Sequence, residues 1–207
     1  MTGVASRAVR TQHGVLDADL VILATGAHAS ALIPELPIVP RRGHLVVTDR
    51  YPGFCAHQLV ELGYVASAHT LSAASVAFNV QPRATGQMLI GSSRELVGWD
   101  AATNRDIVRQ MIDRAVHFMP DLAGVSALRV WTGFRPATRD ALPLIGPWPA
   151  LDGVWIAAGH EGLGVTTSLA TAKLIADQLA GRSVAIDPQP YAPDRSRIPD
   201  VTSAAHA

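Results

Sequence analysis

The apolar positions along the chain form runs of two kinds, short solid blocks and one long helical repeat. Leu20 to Ala24 is a solid block of five, the mark of a strand covered on both faces. It ends in Thr25-Gly26-Ala27, where the glycine serves either as a plain strand exit or as a close approach to a ligand. Before it, Val4 to Thr11 reads as a weak strand and His13-Gly14 as a turn, so the first 30 residues read as β-turn-β. Pro34, Pro37 and Pro40 then disfavour both helix and central strand, and mark a stiff crossover at a boundary between lobes. Leu45 to Thr48 looks like a strand entering the second lobe. Over 57–91 the pattern is one of short strands. HQLVELGYVASA is one candidate pair. VAFNVQP and QMLIGSS are another, joined by a turn at Arg83-Ala84-Thr85-Gly86. This region is expected to form an antiparallel sheet.

Ile107, Val108, Met111, Ile112, Ala115, Val116 and Met119 recur at helical spacing, which predicts a helix over 103–119. Thr103 and Asp106 are spaced as a weak capping box, and Pro120 stops the helix. Arg105, Arg109 and Asp113 make its solvated face. Beyond it, LRVWTGFRP is a strand running into a proline, and DALPLIGPWPA reads as a proline-punctuated loop. Val154 to Ala158 is a strand, followed by a glycine loop and a helix from about Thr167 to Ala180 with Gly181 as its C-terminal cap. The tail from Asp187 is rich in proline and charge, and is expected to be extended or partly disordered. No repeat or coiled coil is present in the sequence.

Composition narrows the function classes. The chain has 207 residues, with 17 basic and 17 acidic side chains, and so carries no field to hold a nucleic acid backbone or an acidic membrane. Its 48% hydrophobic content argues for a packed globule. Neutrality means weak colloidal repulsion and suits association with a partner subunit. A lone cysteine, Cys55, excludes an internal disulfide and a thiolate metal cluster. No apolar stretch is long enough to span a bilayer. The opening MTGVASRAVR lacks the positive start and apolar run of a secretory leader, so the expected compartment is the cytoplasm.

The sharpest candidate chemistry is GHEGLG, residues 159–164, between a buried strand and a helix. Backbone N–H groups there and the helix N-terminus favour negative charge, whether a phosphate or an electron-rich ring edge. The alternative is a glycine turn packed tightly on the sheet. The spacing is neither GxGxxG nor a P-loop. His160-Glu161 begins like HExxH, but position 164 is glycine and the other histidines lack ligand spacing, so no metal site is expected. Ser92-Ser93 is not in a G-x-S-x-G elbow. Cys55 is either a nucleophile or buried filler. Arg135, between Phe134 and Pro136 at the end of an apolar strand, needs a partner: a substrate carboxylate, or an acid such as Asp140 or Glu161. Arg94, just after IGSS, has the same two readings.

ADLVILATGAHAS, PxxPRRGH, WTGFRPATRDALPLIG and GVWIAAGHEGLGVTTSLATAKLIADQL occur in that order. The ordered set resembles the carboxyl-terminal half of the flavin-dependent amino acid oxidase and dehydrogenase family, which includes glycine and sarcosine oxidases, D-amino acid and D-hydroxyproline dehydrogenases and hydrogen cyanide synthase flavoprotein subunits. The resemblance covers nearly the whole chain. It implies an α/β (α+β) fold with an incomplete FAD-binding Rossmann-like lobe, residues 1–40 and 136–185. A substrate lobe built on an antiparallel or mixed sheet would take 41–135, leaving 186–207 as a tail. It implies FAD as cofactor, with Gly26 and Ala27 at the strand end near it and Arg42 and Gly43 close by. Gly159, Gly162, Leu163, Gly164, Val165 and Thr166 would cap the flavin pyrimidine edge. Arg135 matches the arginine of the family's G-[LF]-R-P motif, which clamps the amino acid carboxylate. Asn79 and Arg94 match the sheet that faces the substrate, and His160 lies in the capping loop. The implied reaction is hydride transfer from the substrate α-carbon to the flavin. The product is an imino acid that hydrolyses, or a cyclic imine.

Two departures matter. Glycine oxidase has a second arginine where this chain has Gly162, which shifts the expected substrate toward D-amino or proline-like imino acids. The β-α-β unit with GxGxxG that opens these enzymes is also lacking. Three explanations compete: the distal half of a flavoenzyme completed by a GxGxxG-bearing partner or a homo-oligomer, a truncated or cofactor-free remnant, and a non-catalytic module binding a small carboxylate or partner subunit.

Overall fold

The computed structural model describes residues 1–64 and 74–195. The chain divides into two compact units, Met1–Val39 with Arg135–Ala207, and Pro40–Phe134.

In the first unit, β1 (Gly3–Ala5), β2 (Ala8–Thr11) and β3 (Gly14–Asp17) form an antiparallel meander, with Val4 opposite Val9 and Val9 opposite Leu16. The weak strand expected over Val4 to Thr11 is thus two short strands. Arg7 turns the chain between them at φ 52°. A second sheet has the order β10 (Leu144–Pro147), β11 (Val154–Ala158), β4 (Val21–Leu23), with β4 and β11 parallel and Ile22 opposite Trp155. Its inner face buries Val21, Leu23, Val154, Ile156 and Ala158 with Ala29 and Leu36, and Val4 and Val9 of the meander pack there. A single turn of helix, α1 (Ala29–Leu32), follows β4. On the opposite face, Leu174 and Ile175 of the helix α3 (Gly164–Leu179) pack with Ile145, Trp155 and Ala157.

Three expectations change here. The loop expected at DALPLIGPWPA contains β10, whose Ile145 lies opposite Ala157. Pro143 precedes that strand and Pro147 closes it, and β10 is an edge, where a missing N–H is tolerated. The Leu20–Ala24 block is covered on one face only: Ile22 is 44% exposed, since the buried residues of α3 reach β10 and β11 instead. Helix α3 starts at Gly164 rather than Thr167, because Gly164 and Val165 take up helical backbone directly from Leu163. Its end is as expected, with Gly181 at φ 63°. The described part of the tail is fastened by Arg195, which makes two bonds to Asp140, at 2.7 and 2.9 Å, and donates to the carbonyls of Leu142, Pro143 and Ala192.

The second unit holds a five-stranded sheet of order β6 (Leu59–Val60), β7 (Ala74–Pro82), β8 (Met88–Glu95), β5 (Ile38–Thr48), β9 (Ala127–Thr138). The expected β7–β8 hairpin is present, closed by Gly86 N–H to Arg83 O at 2.9 Å with Gly86 at φ 84°. The strand expected from Leu45 is longer: β5 includes Pro40, which stands before the first pairing with β8 at Arg42 and so interrupts none of that ladder. Of HQLVELGYVASA only Leu59–Val60 is a strand, and positions 65–68 lie outside the described residues. The predicted helix is α2 (Arg105–Phe118), whose Met111 and Ala115 pack on Val46, Phe78, Val80, Met88 and Ile90. Its N-cap is Asn104, not Thr103. The Asn104 side chain accepts from the N–H groups of Asp106 and Ile107, satisfying two of the four orphan donors at a helix start. No helix among the described residues is long and apolar enough to cross a membrane.

Candidate functional site

A cavity of ≈ 650 Å³ opens in the first unit beside the exposed face of β4. Ile22, Ala24 and Gly26 form one wall, His160 to Gly162 a second, and α3 from Gly164 to Leu179 a third. It exists because α3 covers β10 and β11 but leaves β4 open.

The GHEGLG loop is held against the end of β9. Gly159 sits at φ 82°, and a Cβ there would meet Thr138 Cγ2 at 2.8 Å, so only glycine fits. Glu161 adopts φ 48°, unusual for a residue with a side chain. Its N–H donates to Pro136 O at 2.9 Å, and its carboxylate accepts from Gly162 N–H. The helix that follows carries no side-chain cap at its N-terminus, which leaves its first amides open to a ligand.

Arg135 lies beside Glu161 and Gly162, two of the residues that line the cavity. Its Nε is 3.9 Å from Glu161 Oε1, with the two side chains 21% and 18% exposed. Of the two acids left open by the sequence, the structure pairs Arg135 with Glu161, since Asp140 is engaged by Arg195. Gly162 leaves space here: a Cβ on it would stand 3.9 Å from Arg135 Cδ. His160 Nε2 lies 2.9 Å from Thr171 Oγ1 of α3, and burial lowers the imidazole pKa below its ordinary value, so it is neutral at pH 7.

Gly26, His160, Gly162, Gly164 and Val165 thus border one cavity. Gly159, Leu163 and Thr166 belong to the same loop and helix start. Ala27 is buried in the turn after β4. Sequence reasoning passed over Thr25, whose Oγ1 is buried without a hydrogen-bond partner next to Gly26, at φ 58°. Its only signal in the sequence is its place at the end of a buried strand.

The other candidates are in the second unit. Arg42 is buried on β5 beside Gly43. Its Nε pairs with Glu95 at 3.1 Å and its Nη1 with Asp100 at 2.7 Å. Burial works against its charge, but the bonds to Glu95 and Asp100 outweigh this and raise its pKa. Arg94 is buried on β8, with its guanidinium 4.9 Å from the Tyr64 ring centre and Nη2 3.3 Å from Tyr64 Oη. Asn79 is half-buried on β7 and accepts from Gln58 at 3.1 Å.

The parallel β4–β11 pair and the glycine turn entering α3 are features of nucleotide-binding α/β folds. The chain belongs to the family described as FAD dependent oxidoreductase, whose sequence profile matches residues 1–178. It is 32% identical over 189 residues to a glycine oxidase of Pseudomonas aeruginosa, covering 89% of this chain and 48% of that protein. It is 30% identical over 178 residues to the hydrogen cyanide synthase subunit HcnC of Pseudomonas protegens, covering 86% of this chain and 38% of that one. Its fold superposes on the crystal structure of glycine oxidase from Geobacillus kaustophilus with a TM-score of 0.77 at 26% identity, over 93% of this chain and 50% of that chain. The chain therefore spans about half the length, or less, of these relatives.

Proposed function

We propose that this chain is the distal half of a flavin-dependent oxidoreductase that oxidises the CH–NH bond of a small D-amino or proline-like imino acid. The observation that carries the reading is the cavity bordered by the GHEGLG loop, with uncapped α3 amides at one side and Arg135 next to its lining residue Glu161. The residues present fit one part of FAD. The amides at the start of α3 and the helix dipole favour the negative charge of a reduced ring edge. Thr25 Oγ1 is a buried polar atom with no partner, beside Gly26, where a Cβ would meet nothing within 4 Å. A cradle for the pyrophosphate, by contrast, has no sequence signature in this chain. When bound, FAD supplies the two-electron acceptor for the hydride that leaves the substrate α-carbon. The protein's part is to hold the substrate carboxylate with Arg135 and to keep His160 neutral in the loop. Gly162 leaves room beside the clamp, which supports a substrate bulkier than glycine.

The same reading assigns a partner. Among the described residues, strand β4 is the edge of its sheet, paired with β11 alone. Beside it, Val165, Leu169, Ala172, Ala176 and Leu179 repeat at steps of four and three along α3, a seam suited to a second helix. Val165 and Leu169 are 92% and 84% exposed. We assign this edge and seam to the strand and helix of a GxGxxG-bearing half, on the same or another polypeptide.

The test is the visible spectrum of the purified chain with FAD, alone and mixed with the amino-terminal half of a related glycine oxidase. Flavin bands retained through gel filtration of the mixture support the reading. A mixture that stays colourless overturns it.

A further inference from the structure

The two edges of the β10–β11–β4 sheet are built differently. On the β10 side, Trp148 N–H donates to Val154 O at 2.8 Å, so even-numbered residues here face β11 and odd-numbered ones face outward. The outward positions are Pro143, Ile145 and Pro147. The prolines have no N–H, which leaves that of Ile145 as the backbone donor on this side. The outward carbonyl of Pro143 accepts from Arg195 Nη1 at 3.0 Å. Arg195 is itself held by Asp140, with the two side chains 11% and 12% exposed. Pro193 lies beside Gly146, where a Cβ would stand 3.3 Å from its Cδ, and Tyr191 packs with Ile145 and Leu174. Residues 188–195 thus form a strap against β10, whose Leu144, Ile145 and Gly146 are buried although the strand is an edge. On the β4 side, Val21, Ile22 and Leu23 include neither proline nor charge, and Ile22 is exposed.

We propose that residues 188–195 are an edge guard: a strap that closes the β10 edge to a strand from a second copy of this chain, and so confines strand addition to β4. An uncovered strand edge is a template for another extended segment, and covering it with a loop or removing its donors prevents the pairing. Both devices are present at β10, and neither at β4 among the described residues. The fastening centres on Arg195, which ties the strap to Asp140, Leu142 and Pro143 at once. The guard stands independently of the flavin reading. That a GxGxxG-bearing half then occupies β4 rests on that reading.

The test compares the full chain with Arg195→Ala and with the double variant Asp140→Leu/Arg195→Met, which removes both charges and leaves neither unpaired. Amide hydrogen exchange is read in dilute solution, and sedimentation velocity over rising concentration. Exchange at Ile145 should be about tenfold or more faster in both variants, while the amide of Ile156, on the central strand, stays as protected as in wild type. Both variants should also associate at concentrations where the wild-type chain does not. The proposal is overturned if Ile145 exchanges at the wild-type rate, since the strap then does not cover the edge. It is also overturned if Ile145 is released but sedimentation matches wild type, since the open edge then recruits nothing. If Ile156 loses protection in Arg195→Ala, the double variant decides. Loss in both overturns the proposal, because the strap then holds the sheet together rather than guarding its edge. Neither readout involves flavin, and uptake of FAD by the mixed halves is measured separately, so failure of either idea is seen by itself.

Discussion

The ring Nε2 of His44, on β5, accepts the backbone N–H of Asn104 at 3.0 Å, and Asn104 in turn caps α2. An imidazole that accepts at Nε2 carries its proton on Nδ1, which lies 2.9 Å from Ser93 Oγ. A side chain with no exposed surface thus anchors a helix start to the sheet. His44→Leu should remove the acceptor of the half-buried Asn104 N–H and one of the partners of the buried Ser93 hydroxyl, and cost about 1–3 kcal/mol of stability. Urea unfolding of the variant against the wild type measures this, and a loss below about 1 kcal/mol would refute the anchoring role.

Gly159→Ala tests the loop. The new Cβ would press on Thr138 Cγ2 and, at 3.3 Å, on Leu144 N, from a backbone conformation that already disfavours it. The expected cost is about 2 kcal/mol or more, together with loss of FAD uptake by the mixed halves. An unchanged melting curve would mean that the loop gives way easily.

A pH dependence follows from His160. Its pKa is lowered in the fold because burial penalises the charged form. Below the ordinary value of about 6.5 the unfolded chain binds a proton that the folded chain refuses. Stability is therefore intact above that pH and falls as the pH drops below it. His160→Gln should flatten the stability curve between about pH 5 and 6.5 relative to wild type, in denaturant titrations at stepped pH. Equal slopes for both proteins would reject the assignment.

Asp140 behaves in the opposite sense chemically but loses stability on the same acid side. Burial works against its carboxylate, but Arg195 and the Leu142 N–H outweigh that and lower its pKa. Its contribution is present above the ordinary carboxylate value and is lost as pH falls through the lowered folded value. Asp140→Asn should cost about 1–3 kcal/mol near neutrality. It should also speed proteolysis of the tail, read by mass spectrometry of the first cleavage products. A tail cleaved no faster than in wild type would show that Arg195 is held by the carbonyls alone.

Surface variants address the α3 seam. Val165→Lys with Leu169→Glu replaces two exposed apolar residues, so stability should change by less than about 0.5 kcal/mol. Complementation by an amino-terminal half should be lost. Flavin retention by the doubly substituted chain, at wild-type level, would remove this face from the proposed interface.

The sequence revealed what local spacing encodes. Helix α2 was legible from its repeat, the hairpin from its turn residues, and the glycine loop from its flanking strand and helix. It misled where a local rule met a tertiary context. The prolines of 143–149 suggested a loop, yet they stand at the ends of an edge strand rather than within it. Thr103 fitted a capping pattern, but Asn104 satisfies the helix amides because its backbone is extended there. The partner of Arg135 could not be chosen from sequence, because the choice depends on Arg195 capturing Asp140 from 55 positions away. Thr25 gave no signal beyond its place at the end of a buried strand, since a missing partner is a property of the fold alone.

Gly162 carries a practical consequence. The loop places it where any atom grown from its α-carbon enters the volume alongside the Arg135 stem. A methyl group at 162 would come into ordinary van der Waals contact with Arg135 Cδ and Nε, so the size of residue 162 sets how closely the arginine stem is packed against the loop.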